Sequence, residues 1–107
     1  MMNLDSTFAA LSHETRRAIL KELASSGETR LSDLAKPFNM SQTAVSKHVR
    51  VLSDAGLLTV ERRGRTRHCR LNAEPMKQAA DWLTDYETFW TGQFEKLARH
   101  LAAKGKK

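Results

Sequence analysis

The side chains with the most legible chemistry lie in positions 41–72. That window holds seven Lys or Arg residues (Lys47, Arg50, Arg62, Arg63, Arg65, Arg67 and Arg70) against two acids, Asp54 and Glu61, so it carries +5 of the chain's formal net charge of +6. Guanidinium and ammonium groups at this density are hydrogen-bond donors without acceptors, and polyphosphate is the partner that satisfies them. A solvated basic face accounts for scattered charge equally well. It accounts less well for five arginines within the nine residues 62–70, where an edge guarded against aggregation needs only one or two.

Other chemistries find little support. No glycine-rich phosphate loop, nucleophile–base pair or paired carboxylates emerge, so the expectation is a binding protein and not an enzyme. The single cysteine, Cys69, allows no disulfide within one chain and no thiolate metal cluster. Its neighbours His68 and Arg70 could lower its pKa and make it a redox switch, while its place on a strand favours a buried structural thiol. Without an N-terminal basic segment followed by an apolar run, or an apolar stretch of membrane-spanning length, the expected location is the cytoplasm, away from membranes.

Two elements must position the cations. Ser41 is a helix N-cap, and the helix it opens continues to about Asp54. At about 100° per residue, Val45, Val49 and Leu52 fall on one side, and Thr43, Ser46, Lys47 and Arg50 on the other. Short polar side chains let such a helix approach base edges, with Gln42 and Thr43 at the end that enters a major groove first. Ala55-Gly56-Leu57 stops the helix. Residues 57–63 and 66–71 then read as two strands joined by a tip at Gly64-Arg65. Arg62, Arg63, Arg65 and Arg67 stud this hairpin, where arginine suits a narrow minor groove.

The remaining pattern is helical. Leu4, Phe8 and Leu11 mark a first short helix, and Ser12 is the expected cap of a second helix over 14–24, with Ala18, Ile19, Leu20 and Leu23 facing inward. Leu31, Leu34 and Ala35 mark a very short third helix, ended by Pro37 and followed by a turn. Pro75 opens a last helix whose apolar positions Met76, Ala80, Leu83, Tyr86, Trp90, Phe94, Leu97 and Leu101 recur in threes and fours. Trp82 and Phe89 widen that stripe beyond what one small core can bury, so part of it should pack on a second subunit or line an aromatic inducer pocket. Lys104-Gly105-Lys106-Lys107 reads as a frayed tail. The expected architecture is mainly α with a small β-hairpin, in the order α-α-α-α-β-β-α. One domain over 1–107 would comprise N-terminal helices (4–24), a helix-turn-helix (31–54), a wing (57–72) and a C-terminal dimerisation helix (75–102). Leu4, Phe8, Leu11, Trp82, Tyr86, Phe89, Trp90 and Leu97 are the expected dimer contacts.

Taken together, Phe8-Ala9-Ala10-Leu11-Ser12-His13-Glu14-Thr15-Arg16-Arg17-Ala18-Ile19-Leu20, Leu31-Ser32-Asp33-Leu34-Ala35, residues 41–52, Ala55-Gly56-Leu57-Leu58, Arg63-Gly64-Arg65 and His68-Cys69-Arg70-Leu71 resemble the ArsR/SmtB family of winged helix-turn-helix repressors. The resemblance spans essentially the whole chain. It implies a homodimer built from the first and last helices, binding an imperfect palindrome in double-stranded promoter DNA and repressing until a small-molecule inducer arrives. The family's metal sites are not reproduced. A Cys-x-Cys pair is absent from Arg30-Leu31-Ser32-Asp33-Leu34. Asp81 is followed by Trp82 and Leu83 in place of an Asp-x-His pair, and His100 by Leu101, Ala102 and Ala103 in place of a His-x-x-Glu/His pair. Four ligands for zinc cannot be assembled, so no metal is expected. The residues expected to meet DNA are Ser41, Gln42, Thr43, Ser46, Lys47, Arg50, Arg62, Arg63, Arg65 and Arg67. A non-specific DNA-coating protein and a redox-sensing repressor acting through Cys69 are the alternatives.

Overall fold

The structure, a computed structural model, describes residues 3–105. Along the chain it forms α1 (Leu4–Leu11), α2 (Glu14–Ser26), β1 (Thr29–Arg30), α3 (Leu31–Leu34), α4 (Gln42–Asp54), β2 (Leu58–Arg63), β3 (Thr66–Leu71) and α5 (Glu74–Gly105). The apolar faces expected from helical spacing meet in one core. Ile19 and Leu23 of α2, Leu34 of α3, Val45, Val49 and Leu52 of α4, Leu58 of β2 and Cys69 of β3 are all buried. Truncating a fully buried member such as Leu52 to alanine would cost about 2–5 kcal/mol.

The corner between α1 and α2 is tied by polar contacts that the sequence assigns differently. Ser12 closes α1, its hydroxyl donating to the Ala9 carbonyl at 2.6 Å. The cap of α2 is His13, whose Nδ1 accepts from the Thr15 amide at 3.1 Å. Arg16 and Arg17 reach back from α2, donating to the carbonyls of Ala10 and Leu11 at 2.7 Å each. Cations at the C-terminal carbonyls of α1 also suit that end of its dipole.

The sheet has three strands in the order β1-β3-β2, not the two expected. Gly27, with φ of +73°, ends α2 and turns the chain so that Thr29 pairs Cys69 and Arg30 pairs His68. Two residues carry no alternation to read; their partner lies far along the chain. At the hairpin tip Gly64 has φ of +61° and no other residue of the turn is positive, the pattern of a type II′ turn whose twist suits the flanking strands.

Asn72 ties the end of the wing back to the end of α4. Its amide nitrogen donates to the Leu57 carbonyl at 2.9 Å, and its side chain donates to the Gly56 carbonyl at 2.8 Å. Buried Pro75 lies in the first turn of α5. At 32 residues α5 is roughly 48 Å long. The radius of gyration is 18.5 Å, where a compact chain of this length gives about 13 Å. The excess comes from α5, which packs mainly on α1 and then extends beyond the body. It continues through Lys104 and Gly105, so half of the expected frayed tail is helical; Lys106 and Lys107 lie outside the described residues.

Candidate nucleic-acid interface

Ser41 fixes the start of α4, its Oγ accepting from the Ala44 amide at 3.1 Å. That oxygen accepts the capping bond and so orients the helix, while the Ser41 hydroxyl keeps its proton to donate. From this start the 3.6-residue repeat puts Val45, Val49 and Leu52 inside and leaves Gln42, Thr43, Lys47 and Arg50 exposed and Ser46 half-buried. Gln42, Thr43, Ser46, Lys47 and Arg50 line one open groove of about 560 Å³, together with Leu31 from α3 and Arg67 from β3. The wing thus contributes a cation directly to the face of α4, a closeness the sequence does not show because Arg67 reads only as a hairpin residue.

The two-residue period of the hairpin sorts its arginines. Leu58 pairs Leu71, Val60 pairs Cys69 and Arg62 pairs Arg67, so these six share the face turned toward α4. Glu61, Arg63, Thr66 and His68 share the opposite face, where the Thr66 hydroxyl and His68 Nε2 are 2.9 Å apart. On that face Arg63 forms a two-pronged pair with Glu28, at 3.0 and 2.9 Å, and a third bond to Glu61 at 2.9 Å. These carboxylates hold the Arg63 guanidinium even more firmly protonated than usual, and Arg63 in turn lowers the Glu61 pKa. Arg63 thus differs from Arg62, Arg65 and Arg67 in that carboxylates of its own chain balance its charge. Among the described residues Arg62, Arg65 and Arg67 form no ion pair. Glu28 was missed because nothing local marks it; it meets Arg63 across 35 positions of sequence.

Burial bears on one further expectation and on one histidine of α4. Cys69 is fully buried, and burial pushes its thiol pKa up against the weaker opposing pull of Arg67. A solvent-excluded thiol is a poor redox sensor, so the structure supports the buried structural reading of Cys69. His48 sits half-buried at the edge of the inner face of α4, its ring 4.5 Å from that of His13. Burial, helped by the nearby charges of His13 and Arg16, holds the His48 pKa below the ordinary histidine value. Among the described residues no group of three or more His, Cys, Asp or Glu side chains comes together as a metal site would require. No helix there is long and apolar enough to cross a membrane.

The aromatic stripe of α5 is largely uncovered. Phe8 packs edge-on against Trp82 at 5.8 Å, and Trp82 leans on Tyr86 at 5.2 Å, which anchors α5 to α1. Beyond that anchor Phe89, Phe94, Leu97 and Leu101 are each more than half exposed, up to 71% for Phe89. Of the expected dimer contacts, Phe8, Trp82, Tyr86, Phe89 and Leu97 are exposed, whereas Leu4 and Trp90 are half-buried. Leu11 is also half-buried and packs on the core of its own chain.

The helix-turn-helix domain family matches residues 11–61, which hold α2 to α4 and most of β2. The chain is 40% identical over 81 residues to YuzN of Bacillus subtilis, an uncharacterised HTH-type transcriptional regulator, spanning 70% of this chain and 88% of that one. The crystal structure of an ArsR family transcriptional regulator superposes with a TM-score of 0.73 at 35% identity, covering 82% of this chain and 90% of the other. A solution structure of a homodimeric winged helix-turn-helix DNA-binding domain from Mycobacterium bovis, a possible ArsR-family regulator, superposes with a TM-score of 0.63 at 25% identity, covering 77% and 78%. A small-residue reading helix, a cationic wing beside it and these likenesses lead to one conclusion: the chain belongs to the ArsR family of winged helix-turn-helix transcriptional regulators.

Proposed function

We propose that the whole chain acts as one winged helix-turn-helix unit, a sequence-specific repressor that binds an imperfect promoter palindrome as a homodimer. The observation that carries this reading is the shared groove, in which α4 and β3 present Gln42, Thr43, Ser46, Lys47, Arg50 and Arg67 together. Gln42 and Thr43 read bases at the leading end of α4, and Arg50 reads a guanine or a phosphate. Lys47 neutralises phosphate, Ser41 holds the helix start, and Arg62, Arg65 and Arg67 clamp the flanking backbone or minor groove. Arg63 joins them only after exchanging its carboxylates for phosphate. The exposed ridge of α5 supplies the dimer contact, since a long helix with this much aromatic surface in water is otherwise an aggregation liability. Repression follows by occupancy, a bound dimer excluding the transcription machinery from the promoter. The cytoplasm is where such a protein meets its operator, with no metal needed for binding.

The test is selection of bound duplexes from a random library by purified, metal-free protein at near-physiological salt. An enriched inverted repeat with half-sites about one helical turn apart supports the dimeric reader. Binding without enrichment replaces it with a non-specific coating protein. Absence of binding leaves an interaction module that uses the winged fold without nucleic acid, or a missing cofactor.

A further inference from the structure

Two arginines at the corner between α1 and α2 have no place among the cations proposed to meet DNA. A helix leaves its last carbonyls without amide partners. At the end of α1, guanidinium groups from α2 take that role. Arg16 donates through Nε to the Ala10 carbonyl at 2.7 Å and through Nη2 to the Ala9 carbonyl at 3.2 Å. Arg17 donates through Nη1 to the Leu11 carbonyl at 2.7 Å. Neither takes part in an ion pair among the described residues. Arg16 is half-buried and lines one notch with Ser6 and Ala9 of α1 and Val51 and Asp54 of α4. One guanidinium thus stands where α1, α2 and the reading helix meet.

This corner lies on the route by which α5 is held to the rest of the fold. α5 packs mainly on α1, where Phe8 meets Trp82; α1 packs on α2, and α2 on α4. The angle between α5 and α4 is therefore set through the corner as well as at the first turn of α5. Over the roughly 48 Å of α5, a swing of about 5° moves the far end by roughly 4 Å, close to the rise of about 3.4 Å of one base pair. A small error at the corner is thus a whole step on a duplex.

We propose that Arg16 and Arg17 are positioning residues that set the half-site spacing the dimer accepts. Neither touches DNA; both act through α1. A planar guanidinium offers donors in fixed directions and can hold two carbonyls at once, whereas an ammonium is a point charge on a flexible stem. With its end locked in this way, α1 holds α5 at one angle to α4. Two-fold symmetry applies that angle to both reading helices. The inference rests on the reading of the chain as a dimeric, sequence-specific repressor.

The first test needs no DNA. A spin label on Thr59→Cys, at an exposed position of β2, reports the separation of the two wings by pulsed electron resonance, and buried Cys69 stays unlabelled. The wild-type arginines should give one narrow distance distribution. The double variant Arg16→Gln, Arg17→Gln should give a broad one, and Arg16→Lys, which keeps the charge without the fork, should fall between. The second test uses the selected operator with its spacer lengthened or shortened by one or two base pairs. Wild-type protein should prefer one spacer by roughly tenfold or more, and the double variant by less than about threefold. Affinity for a duplex with a single half-site should stay the same in both. Unchanged distances and spacer preference in the variants overturn the proposal. A loss on the single half-site as large as that on the palindrome also overturns it, because it assigns the arginines to stability alone. If the double variant does not fold, Arg16→Lys carries both readouts with the same criteria. Absence of any distance between labels, or failure of the wild type to select an inverted repeat, overturns the dimeric reading itself, and the spacing role falls with it.

Discussion

The reading helix and the wing are both rich in cations, yet the fold treats them differently. On α4 the cations Lys47 and Arg50 have no acidic partner among the described residues. They flank short polar side chains and leave the helix open to close approach. On the wing one guanidinium in the middle of the cluster is already neutralised, because Glu28 and Glu61 grip Arg63 from both sides. On the proposed function, unscreened charge beside small side chains would serve base reading. Partly screened charge lowers the pull of arbitrary phosphate and keeps the hairpin in one shape. The difference shows how a basic protein can limit non-specific attraction without giving up cations where sequence is read.

Several substitutions would break or sharpen that contrast. The largest effect should come from removing the second copy of both regions at once. Phe89→Glu on the exposed ridge is expected to give monomers in light scattering and to cost about 10²–10⁴ in operator affinity, the scale of lost bivalency. A dimer that survives this change would move the interface off α5. Next in size are changes on α4. Gln42→Ala and Arg50→Ala should each cost about 1–3 kcal/mol of operator binding in competition assays. Gln42→Ala should relax preference at one base position, whereas Lys47→Ala should weaken all sequences alike. If Lys47→Ala shifted base preference while Gln42→Ala changed nothing, the division of labour along α4 would be wrong.

On the wing the contrast is internal. Arg67→Ala should flatten the dependence of log affinity on log salt by about 0.9, one phosphate's worth, and Arg63→Ala by clearly less. Equal slopes for the two would show that the carboxylates do not hold Arg63 back. Glu28→Gln is the converse experiment. Releasing one grip should raise affinity for unrelated DNA a few-fold and steepen the salt dependence, so the ratio of operator to non-specific binding falls. The smallest effect concerns the inner edge of α4. Burial lowers the His48 pKa in the fold, so between the folded value and the unfolded value of about 6.5 the unfolded chain binds more protons. The stability conferred by neutral His48 is therefore intact above about pH 6.5 and declines as pH falls through that window toward the folded value. Thermal melts should show this decline, and His48→Gln should make it shallower.

Much of this was legible in the sequence, for reasons that differ by element. The limits of α4 followed from a local cap at Ser41 and a positive-φ stop at Gly56, and its two faces from a single period. The hairpin followed from alternation about Gly64, and α5 from apolar spacing sustained over many turns. Such features depend on neighbours within a few residues, so sequence carries them. It misplaced the cap of α2, because Ser12 and His13 both offer an acceptor and only the path of the chain chooses between them. It missed β1, since a two-residue strand has no pattern of its own and exists only where β3 is ready to pair with it.

The sequence by itself therefore determined the helix-turn-helix, the wing and the basic character of the surface proposed to face DNA. Tertiary structure alone decided how that charge is apportioned: Arg67 toward α4, Arg63 into the carboxylates of Glu28 and Glu61, and Cys69 out of reach of solvent. The physical reason is range. Caps, turns and periodic faces are set by interactions between near neighbours, whereas ion pairing, burial and cavities depend on which distant residues the folded backbone brings within a few ångströms.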